Sequence, residues 1–219
     1  EQADQTQHIQ EEMILSFAEI SENKSGQTGQ HIRRVAEYTK ILALEMGMSE
    51  EKAEKLRLAS TMHDIGKLII PSEILDKPGK LTDEEFTEMK SHTTAGNEIL
   101  SKVIETVPDS GYLNEAMNLA TYHHERWDGK GYPSGLSGDD IPLSARIMAV
   151  ADVFDALVSK RSYKKGFPFD KAMNIIREGA GTQFDAKVAE AFLDAEEEVR
   201  KVAASFGELD EGEEDTKKE

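Results

Sequence analysis

Apolar residues recur at spacings of three and four along most of this chain, and no segment alternates at the period of two that marks a strand. Ile9, Met13, Phe17 and Ile20 predict an amphipathic helix over residues 1–20, a packing or linker element equally suited to a core role or a dimer contact. Residues 21–29 are rich in turn formers, with Thr28 or Gly29 placed to cap the next helix. That helix, over about 30–46, carries Ile32, Val35, Ala36, Ile41, Leu42 and Leu44, opens on His31 and ends at Gly47. Ser49 caps a helix predicted over 49–67, where Leu56, Ala59, Met62 and His63 share a face and Asp64 follows toward the core; Pro71 closes the segment. Thr82 and Glu85 form a capping box for a helix over 83–100 with Phe86, Met89 and Ile99 on its apolar face and His92 beside them. A loop over 105–112 precedes a helix over 113–126 that ends in Tyr122-His123-His124-Glu125-Arg126. Three further helices are expected over 144–160, 168–178 and 185–204.

Two stretches break the pattern. Trp127 to Asp140 holds four glycines and a proline, which excludes regular structure and reads as an ordered functional loop. From Glu208 the chain is acidic and poor in apolar residues, a composition expected to be disordered. The expected organisation is an all-α domain over 21–205, a helix over 1–20 before it and a tail over 206–219 after it.

Composition narrows the chemistry. There is no Cys, so disulfides, thiolate metal sites and Cys nucleophiles are excluded. Any metal must be held by His, Asp or Glu, which suits Mn, Fe, Zn or Mg. A net charge of -17 argues against binding a nucleic-acid polymer, though not against a small phosphorylated ligand at a local cluster of cations. No apolar run is long enough to span a membrane. No signal peptide is visible and the chain starts at Glu1 rather than Met, so it is expected to be a fragment or a processed chain, located in the cytoplasm.

The six His are unevenly placed. His8 sits among polar residues and is expected to be a surface residue, whereas His31, His63, His92, His123 and His124 lie at helix ends or on apolar faces. Asp64 and Asp152 have equally apolar neighbours, and Asp155 lies one turn beyond Asp152. Five imidazoles and two carboxylates without Cys read as a site for two metal ions, which at roughly 3.5–4 Å apart need a bridging carboxylate or water and several imidazoles. Asp64 is a natural bridge, being next to His63; His123 and His124, about 100° apart on a helix, serve the same site from two sides. No His-Glu-x-x-His helix, Gly-rich nucleotide loop or nucleophile elbow is present.

His63-Asp64-Ile65-Gly66-Lys67, His92, the His123-His124-Glu125 run with Asp128, Gly129, Gly131, Tyr132 and Pro133, then Asp152, Arg161 and Lys164 together resemble the HD-GYP branch of the HD metal-dependent phosphohydrolases, over about residues 22–192. The resemblance implies an all-α helical bundle that hydrolyses cyclic di-GMP to pGpG or on to GMP with iron or manganese, through a metal-activated hydroxide. It implies His63, Asp64, His92, His123, His124 and Asp152 as metal ligands, with His31 a ligand where three ions bind. It implies Lys67, Arg161 and Lys164 as phosphate contacts, Lys67 and Asp64 taking part in catalysis. Members with three ions typically carry Glu four residues before the His31 position; here Gln27 stands there, so two ions are expected, a third is not, and His31 is expected to be unused or weakly bound.

The same resemblance links the Gly131-Tyr132-Pro133 loop to GGDEF-domain partners. Tyr132 is read as packing rather than reacting. Asp155 either supports a ligand His or pairs with Arg161. A catalytically weak cyclic di-GMP sensor signalling through that loop is the alternative function; a phosphohydrolase acting on mononucleotides is opposed by the loop and by Arg161 with Lys164.

Overall fold

Gly47, at φ 80, closes the helix that His31 opens, and two residues later the Ser49 hydroxyl accepts from Lys52 N to start the next. Such local stop and start signals divide the computed structural model, which describes residues 12, 15, 16, 18–21, 29–106, 111–159 and 166–207. His8, Gln27, Thr28, Arg161, Lys164 and the tail from Glu208 lie outside the described residues. The helices are α1 (described at 12, 15, 16 and 18–21), α2 (Gly29–Glu45), α3 (Glu50–Ser60), α4 (Ser72–Leu75), α5 (Asp83–Lys90), α6 (His92–Thr106), α7 (Gly111–Tyr122), α8 (Leu143–Val158), α9 (Phe169–Gly179), α10 (Ala186–Asp194) and α11 (Glu196–Ser205). Short 3-10 segments occupy Ile65–Ile69 and Gly138–Asp140. Among the described residues the single β feature is an isolated bridge between Ala180 and Phe184, so the all-α expectation is borne out.

Helix α2 packs on α3 and α8, and α6 on α7 and on the 3-10 segment that follows His63. The α2–α8–α10 junction is sealed by aromatic edges: Tyr38 meets Phe154 at 5.3 Å between centroids, and Phe154 meets Phe192 at 4.9 Å and Phe169 at 5.5 Å. Each such pair adds about 1 kcal/mol beyond its area burial. The site elements are thus mounted on a close-packed frame.

Four predicted helices are shorter than the periodicity suggested, and each break has a physical cause. The helix predicted over 49–67 ends at Ser60, where the Ser60 and Thr61 hydroxyls bond back to the carbonyls of Arg57 and Leu58 and the chain tightens to i→i−3 bonds from Thr61 through His63. The helix predicted over 83–100 is two helices, broken at Ser91, whose hydroxyl bonds to Glu88 O. Phe86 and Met89 consequently do not face the core: α5 buries none of its residues. The helix predicted to reach 126 stops at Tyr122, so His123 and His124 lie on the turn beyond it. The last helix divides at Ala195, after which Glu196, Glu197 and Glu198 supply the three acids that favour a new helix N-terminus. No helix among the described residues is long and apolar enough to cross a membrane.

Candidate metal centre

The tight turn after α3 lets two consecutive side chains, His63 and Asp64, both point inward; a continuous α-helix would have set them about 100° apart. His92, first residue of α6, comes from the second wall, and His123 with His124 from the turn after α7. Ligand atoms of Asp64, His92, His123 and His124 lie within 4.8 Å of one another, and so do those of His31, His63 and Asp152. All seven sequence-predicted ligands therefore gather in two adjoining sets. His31, expected to stand aside, faces Asp152 at 3.6 Å.

Asp64 joins the sets. Its Oδ1 lies 3.4 Å from His92 Nε2 and 3.7 Å from His123 Nε2; its Oδ2 lies 3.2 Å from His63 Nε2 and 2.5 Å from Lys67 Nζ. Burial works to raise this carboxyl, but the Lys67 ammonium and His63 outweigh it and hold the group well below the ordinary carboxylate range.

The imidazoles are oriented by the main chain. His63 Nδ1 is 2.8 Å from Ser60 O, His92 Nδ1 is 2.7 Å from Met89 O, and His123 Nδ1 is 2.8 Å from Leu119 O. A carbonyl can only accept, so each Nδ1 carries the proton, and in His92 and His123, which burial keeps neutral, a bare Nε2 turns inward. His92 Nε2 and His123 Nε2 then face each other at 3.5 Å with a lone pair on each. A cation between them resolves that repulsion, and Asp64 Oδ1, buried and accepting no hydrogen bond, faces the same space. Nitrogen and carboxylate donors of this kind suit a divalent ion.

Burial drives the His123 pKa down to about 3 and lowers those of His92 and His124 as well. For His123 the folded value lies below the ordinary 6.5, so between pH 6.5 and 3 the unfolded chain takes up a proton that the folded chain refuses. Its contribution to stability is complete above pH 6.5 and is lost as pH falls through that window, at about 1.4 kcal/mol per pH unit for one such imidazole. Asp64, held low, loses its contribution only below about pH 4. The chelator-treated protein is therefore expected to melt roughly 5 °C lower at pH 5 than at pH 7. Circular dichroism melts check this; an unchanged melting temperature would contradict buried, neutral imidazoles.

His31 is held from behind. Its Nδ1 donates to Asp155 Oδ2 at 2.7 Å, and Asp155 also accepts from Arg34 Nε at 2.6 Å, Arg34 Nη2 at 3.0 Å and Ser159 Oγ at 3.0 Å. Burial works to raise the fully enclosed Asp155 carboxyl; the bonds from His31 and Arg34 win and leave it below its usual value. Of the two partners open for Asp155 in the sequence, His31 is bonded to it, and Arg161 lies outside the described residues. Arg34 had not been singled out; its position three residues after His31, on the same helix face, was the available signal.

The glycine-rich loop is fastened over the centre. Glu125, nearly fully buried, accepts from Ser134 N at 2.7 Å and Gly135 N at 3.1 Å through Oε1. Trp127 N and Asp128 N donate to Gln183 O and Thr182 O. Gly131 lies so close to the His turn that a Cβ there would sit 2.4 Å from Arg126 N and 2.5 Å from His124 O. Tyr132 stacks on His124 with centroids 4.8 Å apart and planes 27° apart. Burial, with Asp64 and Asp152 near, raises its phenol further out of the titrating range, which fits packing rather than proton transfer. Glu125 had been named in the sequence as part of the His123-His124-Glu125 run but given no role.

A model of the family described as "HD domain" matches residues 16–188, which include both donor sets and the loop. The chain belongs to the HD domain family. It is 45% identical over 201 residues to a cyclic di-GMP phosphodiesterase of Vibrio cholerae, covering 88% of this chain and 41% of the relative. It is 40% identical over 195 residues to a 3'3'-cGAMP-specific phosphodiesterase 2 of the same organism, covering 89% and 36%. A solved structure of a V. cholerae cyclic GMP-AMP specific phosphodiesterase aligns with TM-score 0.60 at 20% identity, over 88% of this chain and 50% of that one, a likeness of fold. The chain spans half or less of the length of the curated relatives it matches. The expected HD-GYP resemblance is borne out by these relatives, and the His/Asp cluster fits the divalent metal binding of an HD domain.

Proposed function

We propose that this domain is a metal-dependent phosphodiesterase that hydrolyses cyclic di-GMP to pGpG, GMP or both. The observation that carries the reading is the pair of adjoining donor sets turned toward each other through the two oxygens of Asp64. Relatives named for hydrolysis of cyclic di-GMP and of 3'3'-cGAMP supply the substrate class.

In this reading His92, His123 and His124 with Asp64 hold one ion, and His31, His63 and Asp152 with Asp64 hold a second; iron or manganese suits the set, and two ions are the proposed number. Bound there, the ions supply an activated water at neutral pH and polarise a phosphoryl oxygen. The protein supplies position and charge. Backbone carbonyls at Ser60, Met89 and Leu119 fix three imidazole tautomers, and Asp155 with Arg34 fixes a fourth. Lys67, on the rim of Asp64, can leave the carboxylate for the phosphate as negative charge builds there. Arg161 and Lys164 are proposed as the further phosphate contacts. A cytoplasmic location, a GGDEF-domain partner at the loop and a homodimer through α1 belong to the same proposal.

Incubating the Mn- or Fe-loaded protein with cyclic di-GMP, followed by chromatography, is expected to yield pGpG or GMP, and the His63→Ala variant none above background. Running 3'3'-cGAMP in parallel sets the substrate preference. Tight binding of cyclic di-GMP without product would instead favour a sensor.

A further inference from the structure

Helix α5 departs from the rest of the fold in one respect. Its start is fully specified by the reciprocal Thr82–Glu85 capping box, and Lys77 fastens Glu85 with bonds of 2.6 and 2.8 Å, yet none of its residues is buried. Its apolar residue Phe86 is 47% exposed. Among the described residues the exposed large hydrophobics are Ile20, Leu44, Ile69, Phe86 and Val103, and Phe86 is the aromatic one.

The ring stands at the end of an aromatic series that leaves the metal centre. His124 stacks on Tyr132 at 4.8 Å, and Tyr132 meets Phe86 edge-on at 6.3 Å and 82°. Tyr132 also lies 6.4 Å from His92, so Phe86 sits one ring beyond the ligands, at the rim rather than in the core. The Lys90 ammonium hangs over the Phe86 ring at 5.2 Å and over Tyr132 at 6.0 Å. A half-exposed aromatic ring with a neighbouring ammonium is the pair of features that takes a nucleobase: the ring stacks, and the cation donates to acceptors on the base edge or to phosphate. A nucleotide whose phosphate lies between the donor sets carries its base one sugar away, and Phe86 lies one ring beyond those donors.

We infer that Phe86 and Lys90 form a purine-base subsite, with Phe86 stacking one base of a bound cyclic dinucleotide and Lys90 donating to guanine O6 and N7. This rests on the proposed phosphodiesterase reading for its substrate class. The stacking face tolerates either purine. The ammonium favours guanine, because adenine offers N7 beside a donor amino group where guanine offers two acceptors.

Two variants and three measurements decide it. In the metal-loaded protein, Phe86→Ala is expected to raise KM for cyclic di-GMP on the order of tenfold while kcat stays within about twofold, and Phe86→Trp to restore KM. Because α5 buries nothing, Phe86→Ala should leave the melting temperature unchanged, whereas a merely structural role would lower it. Equilibrium binding of cyclic di-GMP, measured by calorimetry on the same proteins, is expected to weaken about tenfold in Phe86→Ala. KM and Kd of Phe86→Ala within twofold of wild type would overturn the subsite while leaving the phosphodiesterase reading intact. Wild-type protein that binds but does not hydrolyse would end that reading, and the Kd comparison would still decide the subsite. Absence of any binding overturns both.

Discussion

Gly66→Ala is expected to lose bound metal and to melt about 5–10 °C below wild type. A Cβ on Gly66 would lie 1.8 Å from His92 O, 2.7 Å from His92 C and 2.6 Å from Gly96 N. All three atoms are backbone, so no flexible side chain can swing away. The only relief is to part the Ile65–Ile69 segment from the first turn of α6. That movement separates Asp64, which precedes the segment, from His92, which begins the helix, and the 3.4 Å approach of Asp64 Oδ1 to His92 Nε2 is lost. Gly111→Ala is the control: nothing lies within 4 Å of a Cβ there, and it opens α7 well away from His123. Thermal melts and metal analysis of both variants check the prediction. Gly66→Ala with wild-type metal content and melting temperature would show that this close approach does not set the site.

The candidate site was legible in the sequence because its residues are chemically conspicuous. Imidazoles and carboxylates on apolar faces need a reason, and the structure brings His31, His63, His92, His123 and His124 with Asp64 and Asp152 into the two donor sets, while His8 lies outside the described residues. The bundle was legible for a similar reason, since the spacing of apolar residues depends on burial alone. What periodicity could not show was where helices tighten or stop. Ser60, Thr61 and Ser91 end helices by bonding backward to main-chain carbonyls, a competition that leaves the apolar pattern untouched. Those interruptions are what the site is made of. His63 with Asp64, and His123 with His124, converge because each pair sits on a turn after a helix. Phe86, read as part of an apolar face, stays exposed because a cap and a period of three to four fix a helix but not whether anything packs on it. Arg34 was missed because a buried Arg is expected on no face; its partner Asp155 lies 121 residues on.

Asp64→Asn is expected to remove both ions and to lower hydrolysis more than about a thousandfold, whereas Asp152→Asn should remove one ion only. Asparagine keeps the volume of the carboxylate and discards its charge and one acceptor. Either orientation of the amide is unfavourable. Turned one way, its NH2 faces the Lys67 ammonium that Asp64 Oδ2 now receives at 2.5 Å; turned the other, the NH2 occupies the place beside His92 and His123 where an ion would sit. In the first case a largely buried ammonium is left without its anion, a loss that is strongly destabilising in its own right. Asp152 touches a different set: it lies 3.6 Å from His31 and 3.9 Å from His63, and its side chain is partly open to solvent. Its replacement leaves Asp64, His92, His123 and His124 as they are. Metal analysis on wild type, Asp64→Asn and Asp152→Asn therefore distinguishes one shared centre from two separate ones. Loss of both ions in the first variant and of one in the second means that Asp64 spans the sets; loss of a single ion in each would mean that the sets are independent and that the carboxylate serves only one.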